Sequence, residues 1–178
     1  MQLLRSIITR IEHITEWVGS ASSWLVLLMV VLGASNAAGR YVGEYMGMTL
    51  SSNALAEGQW YAFSMIFLLG SADTLRQDKH VRVDLIYGRL GMRGRAITNL
   101  IGGLLALLPF CFALLYFSWP SVSESWRVLE QSADPGGLPR YPIKSVILVA
   151  FVLLALQGFA TTAKQIIRLY EPYVKSKS

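Results

Sequence analysis

The stretch ALAEGQWYAFSMIFLLGSADTL, residues 54–75, decides between three membrane crossings and four. Its uncharged core, Gly58 to Ala72, has only 15 residues, short of the roughly 20 that a spanning helix needs. Read alone, it could be a re-entrant segment. Adding Ala54 to Glu57 on one side and Asp73 to Leu75 on the other gives a full span, and the cations require it. Of the 16 Lys and Arg, 12 lie in the first 16 residues, in 76–95 or after residue 163. Only Arg40, Arg127, Arg140 and Lys144 lie in the other two connections. Segments rich in Lys and Arg stay in the cytoplasm. The first segment and 76–95 can share that side only if the chain crosses twice between them, so 54–75 spans.

The other crossings follow from windows without Asp, Glu, Lys or Arg. There are 23 such residues between Glu16 and Arg40, 28 between Arg95 and Glu124, and 19 between Lys144 and Lys164. Hydrophobic residues make up 53% of the chain and charged residues 15%, against about 25% charged in a soluble domain. The expected fold is an all-α membrane protein, a single domain over 1–178, with four transmembrane helices and both termini inside. Spans are expected at about 17–39, 54–75, 97–119 and 143–166. A cytoplasmic loop covers 76–96, and periplasmic loops cover 40–53 and 120–142. The net charge of +5 sits in short loops, with no basic face for nucleic acid.

Residues 1–16 are amphipathic, with Leu4, Ile7, Ile8, Ile11 and Ile14 at helical spacing. They read as an interfacial helix turning into the first span, the alternative being an extended first span. The long apolar run begins near Trp17 and is too long for the core of a cleavable signal. In the outer connection 120–142, residues 124–130 could prolong the third helix. Asp134-Pro-Gly-Gly137 then marks a turn, and Pro142 suits the start of the last helix. Pro109 is expected to kink the third span.

Candidates for chemistry are few. Cys111 is the one cysteine, so internal disulfides and CxxC redox chemistry are out. His13 and His80 are the two histidines, and neither lies within a span, which excludes bis-histidine haem. Small residues recur at 33–39 and 19–23, and at Gly70, Gly102-Gly103 and Gly158; they serve internal packing or a partner helix. Asn36 and Gln157 are polar mid-span residues suited to bonding between helices. Glu57, beside Trp60 at the outer edge of the second span, is expected to pair with Arg40; a proton or ion site is the alternative. Asp73, Arg76, His80, Arg82 and Asp84 crowd one cytoplasmic turn, and His80 with Asp84 supplies too few ligands for a metal centre. No catalytic, cofactor or metal site is expected.

Glu57 opening a short span, Gly70-Ser-Ala72 within it, and His80-Val-Arg-Val-Asp84 after it together resemble the small, DctQ-like membrane subunit of the tripartite ATP-independent periplasmic (TRAP) transporters. Arg40-Tyr41 closing the first span and Leu138-Pro139-Arg-Tyr-Pro-Ile-Lys144 before the last extend the resemblance over nearly the whole chain. The resemblance implies two protein partners, a large membrane subunit and a periplasmic binding protein. The binding protein captures an organic acid, and the large subunit moves it inward by a sodium-coupled elevator motion. The small subunit would scaffold the large one in the bacterial inner membrane, in contact with lipid. The rival readings are a self-sufficient ion-coupled transporter using Glu57 and a membrane enzyme using His80 and Asp84.

Overall fold

The computed structural model describes residues 2–48, 50–79 and 90–175. Every regular element among the described residues is helical. Helix α1 runs over Gln2–Met46 and α2 over Asn53–Arg76. Helix α3, Met92–Ile101, passes through a π-helical segment, Gly102–Leu107, into α4, Leu108–Arg127. Helix α5 spans Arg140–Lys175. Among the described residues, three stretches are long and apolar enough to cross a membrane: Gln2–Met46, Arg93–Arg127 and Arg140–Ile167. Helix α2 has the length, 24 residues or about 36 Å, but Glu57, Gln59, Ser64, Ser71 and Asp73 make it too polar to qualify on composition.

Two expectations about the chain's course need correction. No break separates residues 1–16 from the first span, so the separate interfacial helix is instead the opening turns of α1. No proline or turn sequence interrupts Ile14 to Ser20, and the apolar side finds a protein partner. Ile8 is buried with Ala160 and Ala163 of α5, with Leu4, Ile11 and Ile167 packed around them. At its other end α1 runs past Arg40 to Met46, leaving a short link before Asn53. There Gly47, at φ 68°, takes the left-handed conformation that ends many helices. Met48 N–H donates to Gly43 O at 2.8 Å, and the chain folds back along α1.

The helices form an open row more than a closed bundle. The main packing is α1 on α2, α2 on α5, and α5 on α4, while α1 reaches α5 mainly near the N-terminal end of α1. Small residues set the contacts. A Cβ at Gly19 would lie 2.5 Å from Cβ of Asp73, and one at Gly33 would lie 2.9 Å from Nε2 of Gln59. On α5, a Cβ at Gly158 would meet Leu107 at 2.8 Å. Between lipid-solvated helices such close approach supplies the packing that burial of apolar area supplies in water.

Pro109 lies just beyond the π segment. Proline has no N–H and collides with the carbonyl four residues back. The wider turns of the π segment, where Leu108 N–H reaches back to Gly103 O, make room for it within one continuous helix. Asn36 bonds outside its helix, its Oδ1 accepting the N–H of Ser52 at 3.0 Å before α2. Gln157, fully buried, bonds only within its own helix, Nε2 to Thr161 Oγ1 at 3.3 Å.

The α1–α2 contact predicts opposite responses at two glycines. Gly19→Ala should lower the thermal midpoint of the detergent-solubilised protein by several degrees, since its Cβ meets Asp73. Gly70→Ala, with nothing within 4 Å of the added Cβ, should leave it unchanged or raise it through the ~1 kcal/mol helix preference of Ala over Gly.

Candidate functional site

Among the described residues, a dense set of long-range polar contacts lies at the N-terminal end of α2. Asn53, Glu57 and Tyr61 are spaced four apart and so share one helix face. Together they grip the backbone between α4 and α5. Asn53 Nδ2 donates to Pro135 O at 3.0 Å. Glu57 accepts from Leu138 N–H at 2.5 Å and from the Ser132 hydroxyl. Tyr61 OH donates to Leu138 O at 3.4 Å and Pro139 O at 3.2 Å. Glu57 is only 5% exposed, so its carboxylate is used up in holding this strap of residues 128–139.

The strap has the shape to be held. Helix α4 ends with Glu130 N–H on Ser125 O at 3.0 Å and Leu129 N–H on Trp126 O at 3.3 Å, the paired bonds of a Schellman motif. Leu129 takes the left-handed position at φ 46°. The expected turn follows: Gly137 N–H bonds Asp134 O at 3.0 Å, with Pro135 second and Gly136 third at φ 72°, as in a type II turn. A Cβ at Gly137 would lie 2.6 Å from Oε2 of Glu57, so glycine lets the strap sit down on the carboxylate.

The strap's two ends are tied as well. Glu130 accepts from Lys144 Nζ and from Ser125 Oγ at 2.6 Å. These two donors, Lys144 foremost, hold the Glu130 carboxyl below its usual range. Trp126 Nε1 donates to Ser145 Oγ at 2.7 Å, and its ring meets Tyr141 edge-on at 4.7 Å.

A second cluster lies at the C-terminal end of α2. Arg76 Nε bonds Asp73 Oδ1 at 2.7 Å and NH2 approaches Glu16 Oε1 at 3.4 Å. Gln77 Nε2 donates to Asp73 Oδ2 at 2.5 Å, and Lys164 pairs with Glu12. Glu12 and Glu16, one turn apart on α1, thereby tie it to both α5 and α2.

The expected Arg40–Glu57 pair does not form. Arg40 is exposed on α1, while Glu57 faces the strap and bonds Ser132 and Leu138 there. Trp60 points outward, 67% exposed. Gly70 lines an open groove of about 550 Å³ between α1 and α2. Its hydroxyls donate to carbonyls of their own helices, Ser22 to Val18 O, Ser23 to Gly19 O, Ser71 to Leu68 O and Thr74 to Gly70 O. Pro139 and Lys144 belong to the strap and its anchor. His80, Arg82 and Asp84 lie outside the described residues. Among the described residues no three His, Cys, Asp or Glu side chains gather as metal ligands. Asn53, Tyr61, Ser132 and Glu130 went unnoticed in the sequence, although the four-residue spacing of 53, 57 and 61 was a legible sign.

Removing Glu57 should free the strap. Glu57→Ala, and separately Gly137→Ala, should speed amide exchange across residues 132–138 at least tenfold, with α4 and α5 unchanged. Glu130 gives a pH signature. With its folded pKa depressed, its contribution is complete above the ordinary carboxylate value and is lost as pH falls through the lower, folded one. The protection factor at the strap, its exchange relative to the unstructured rate at the same pH, should therefore fall on acidification below about pH 4.5, and Lys144→Met should flatten that fall.

The family described as "Tripartite ATP-independent periplasmic transporters, DctQ component" matches residues 29–168. No curated protein and no solved structure matches the chain.

Proposed function

Because the chain belongs to the DctQ component family of the tripartite ATP-independent periplasmic transporters, we propose that it is the small subunit that braces the large, sodium-coupled elevator subunit and helps seat the periplasmic binding protein. In this reading the binding protein delivers an organic acid, the large subunit carries it inward, and this chain holds neither acid nor sodium. One observation carries the proposal: the buried carboxylate of Glu57, the residue best placed to serve as an ion site, is consumed in fixing the strap. A carrier acting alone needs ionisable groups free to exchange partners at membrane depth, whereas a brace needs them locked. The self-satisfied hydroxyls of the α1–α2 groove support the same reading.

We place the chain in the bacterial inner membrane, crossing four times, with both termini in the cytoplasm and the strap in the periplasm. Helix α2 is the fourth crossing. Its polar residues concentrate at its two ends, where the strap and the inner ion pairs receive them, and its middle from Ala62 to Leu69 is nearly all apolar. The strap, held at both ends and along its length, is then a preformed docking surface.

Two experiments test this. In cells, deletion of the chain should abolish uptake of the acid recognised by the binding protein and lower the amount of large subunit in the membrane. Undiminished uptake by the large subunit without this chain defeats the proposal. For topology, Asp134→Cys should react from outside intact spheroplasts with a membrane-impermeant maleimide, and Lys79→Cys should react only after lysis. The reverse pattern would invert the orientation.

A further inference from the structure

Resting on the function proposed above, we propose that the face of α1 turned away from α2 is the seat of a long helix of the large subunit, wound against it as a left-handed pair. The face is marked by spacing. Starting at Leu3 and Ile7, steps alternating between four and three residues pass through Arg10 and reach Ile14, Trp17 and Trp24; the same steps continue through Val31 to Tyr45. The apolar members are all exposed, with Trp17 and Trp24 at 70% and Tyr45 at 94%. An average step of 3.5 residues is the repeat of helices that coil left-handedly around a neighbour. The row that meets α2 and the link before it has the same repeat: Gly19 and Ser22 lead to Gly33, Asn36 and Gly43, these being buried or half-buried. At ~100° per residue the two rows lie on nearly opposite sides of α1.

Lipid cannot cover the whole outer row. From Leu3 to Tyr45 it is about 63 Å long at ~1.5 Å per residue, whereas a bilayer with its headgroups is about 40–45 Å thick. Fitting the row inside would require a tilt of about 45°, outside the usual range of roughly 0–40°. The row also persists through the polar opening turns, where Arg5, Ser6, Thr9, His13 and Glu16 occupy other exposed positions. Apolar side chains held in register beyond the lipid call for a protein neighbour.

Charge selects which neighbour. Two copies of this chain inserted alike would run their α1 helices parallel and bring Arg10 against Arg10 within the seam, a like-charge contact that opposes pairing. A different helix carrying a carboxylate at that level, with small residues opposite Trp17 and Trp24, fits the row. The large subunit is the membrane partner that the proposed function supplies.

The test is photocrosslinking in membranes that contain the whole transporter. p-Benzoylphenylalanine placed at Ile14, Trp24 or Val31 should give an adduct with the summed mass of this chain and the large subunit. The same probe at Phe117, on the far side of the row of helices, should not. Adducts of twice the mass of this chain, or adducts to lipid alone, overturn the inference. So do adducts to the large subunit from Phe117 but not from α1, and that result would leave the proposed function standing. If the large subunit is reached from no position and does not co-purify, the proposed function itself falls. In a second arm, Arg10→Glu should lower the large subunit recovered with the tagged chain at least fivefold, while Arg10→Lys retains it. Equal recovery with both variants overturns the charge pairing.

Discussion

Helices in hydrocarbon gain almost nothing by hiding apolar side chains from one another, because the lipid already solvates them. What holds this chain together is therefore the distance to which its backbones can approach, and Gly19, Gly33 and Gly158 set that distance. Helix α2 sits in the middle of the consequences. The glycines of α1 let it come close, Ala72 packs with Leu154 of α5 and Cys111 of α4, and its two ends carry the polar groups that close the structure above and below. In a chain with 53% hydrophobic residues, several of the few polar side chains thus join elements that apolar contact would leave loosely associated.

The two closures differ in kind. At the C-terminal end of α2, charges meet charges: Glu12 with Lys164, and Glu16 and Asp73 with Arg76. Such pairs are strong where water is scarce and weaken where it enters. At the N-terminal end of α2, its side chains mostly meet backbone, and the strap is held by bonds to Pro135, Leu138 and Pro139 that do not depend on which side chains it displays. Its surface residues are free to vary without loosening its anchorage. That separation of anchorage from display suits a surface that meets a soluble partner.

Much of this was legible in the sequence. Charge-free windows located the helices, and the Asp134-Pro-Gly-Gly137 turn formed where its chemistry placed it, because proline and glycine fix backbone conformation locally. The family likeness read from residues between Arg40 and Lys144 agrees with the family match over residues 29–168. What was not legible depended on facing. Glu57 looked toward Arg40 when only proximity in span order was considered, but helix faces, not span order, choose partners, and Asn53 and Tyr61 one turn to either side reveal the true direction. The separate interfacial helix failed for a similar reason. An amphipathic segment suits a lipid surface or a neighbouring helix equally well, and Ala160 and Ala163 of α5 were too distant in sequence to be seen as the second choice.

The open row has a consequence for how such a chain drifts over generations. A closed core punishes loss of a methyl group because nothing refills the hole. Here most large apolar side chains border the outside of the row, where fluid acyl chains flow into any space that a smaller residue vacates. Selection then bears on a sparse set of positions, the close-approach glycines, the polar ties and the outward row of α1, and leaves the rest of the hydrophobic surface nearly neutral. Distant members of such a lineage should keep the scaffold's joints while exchanging most of its bulk.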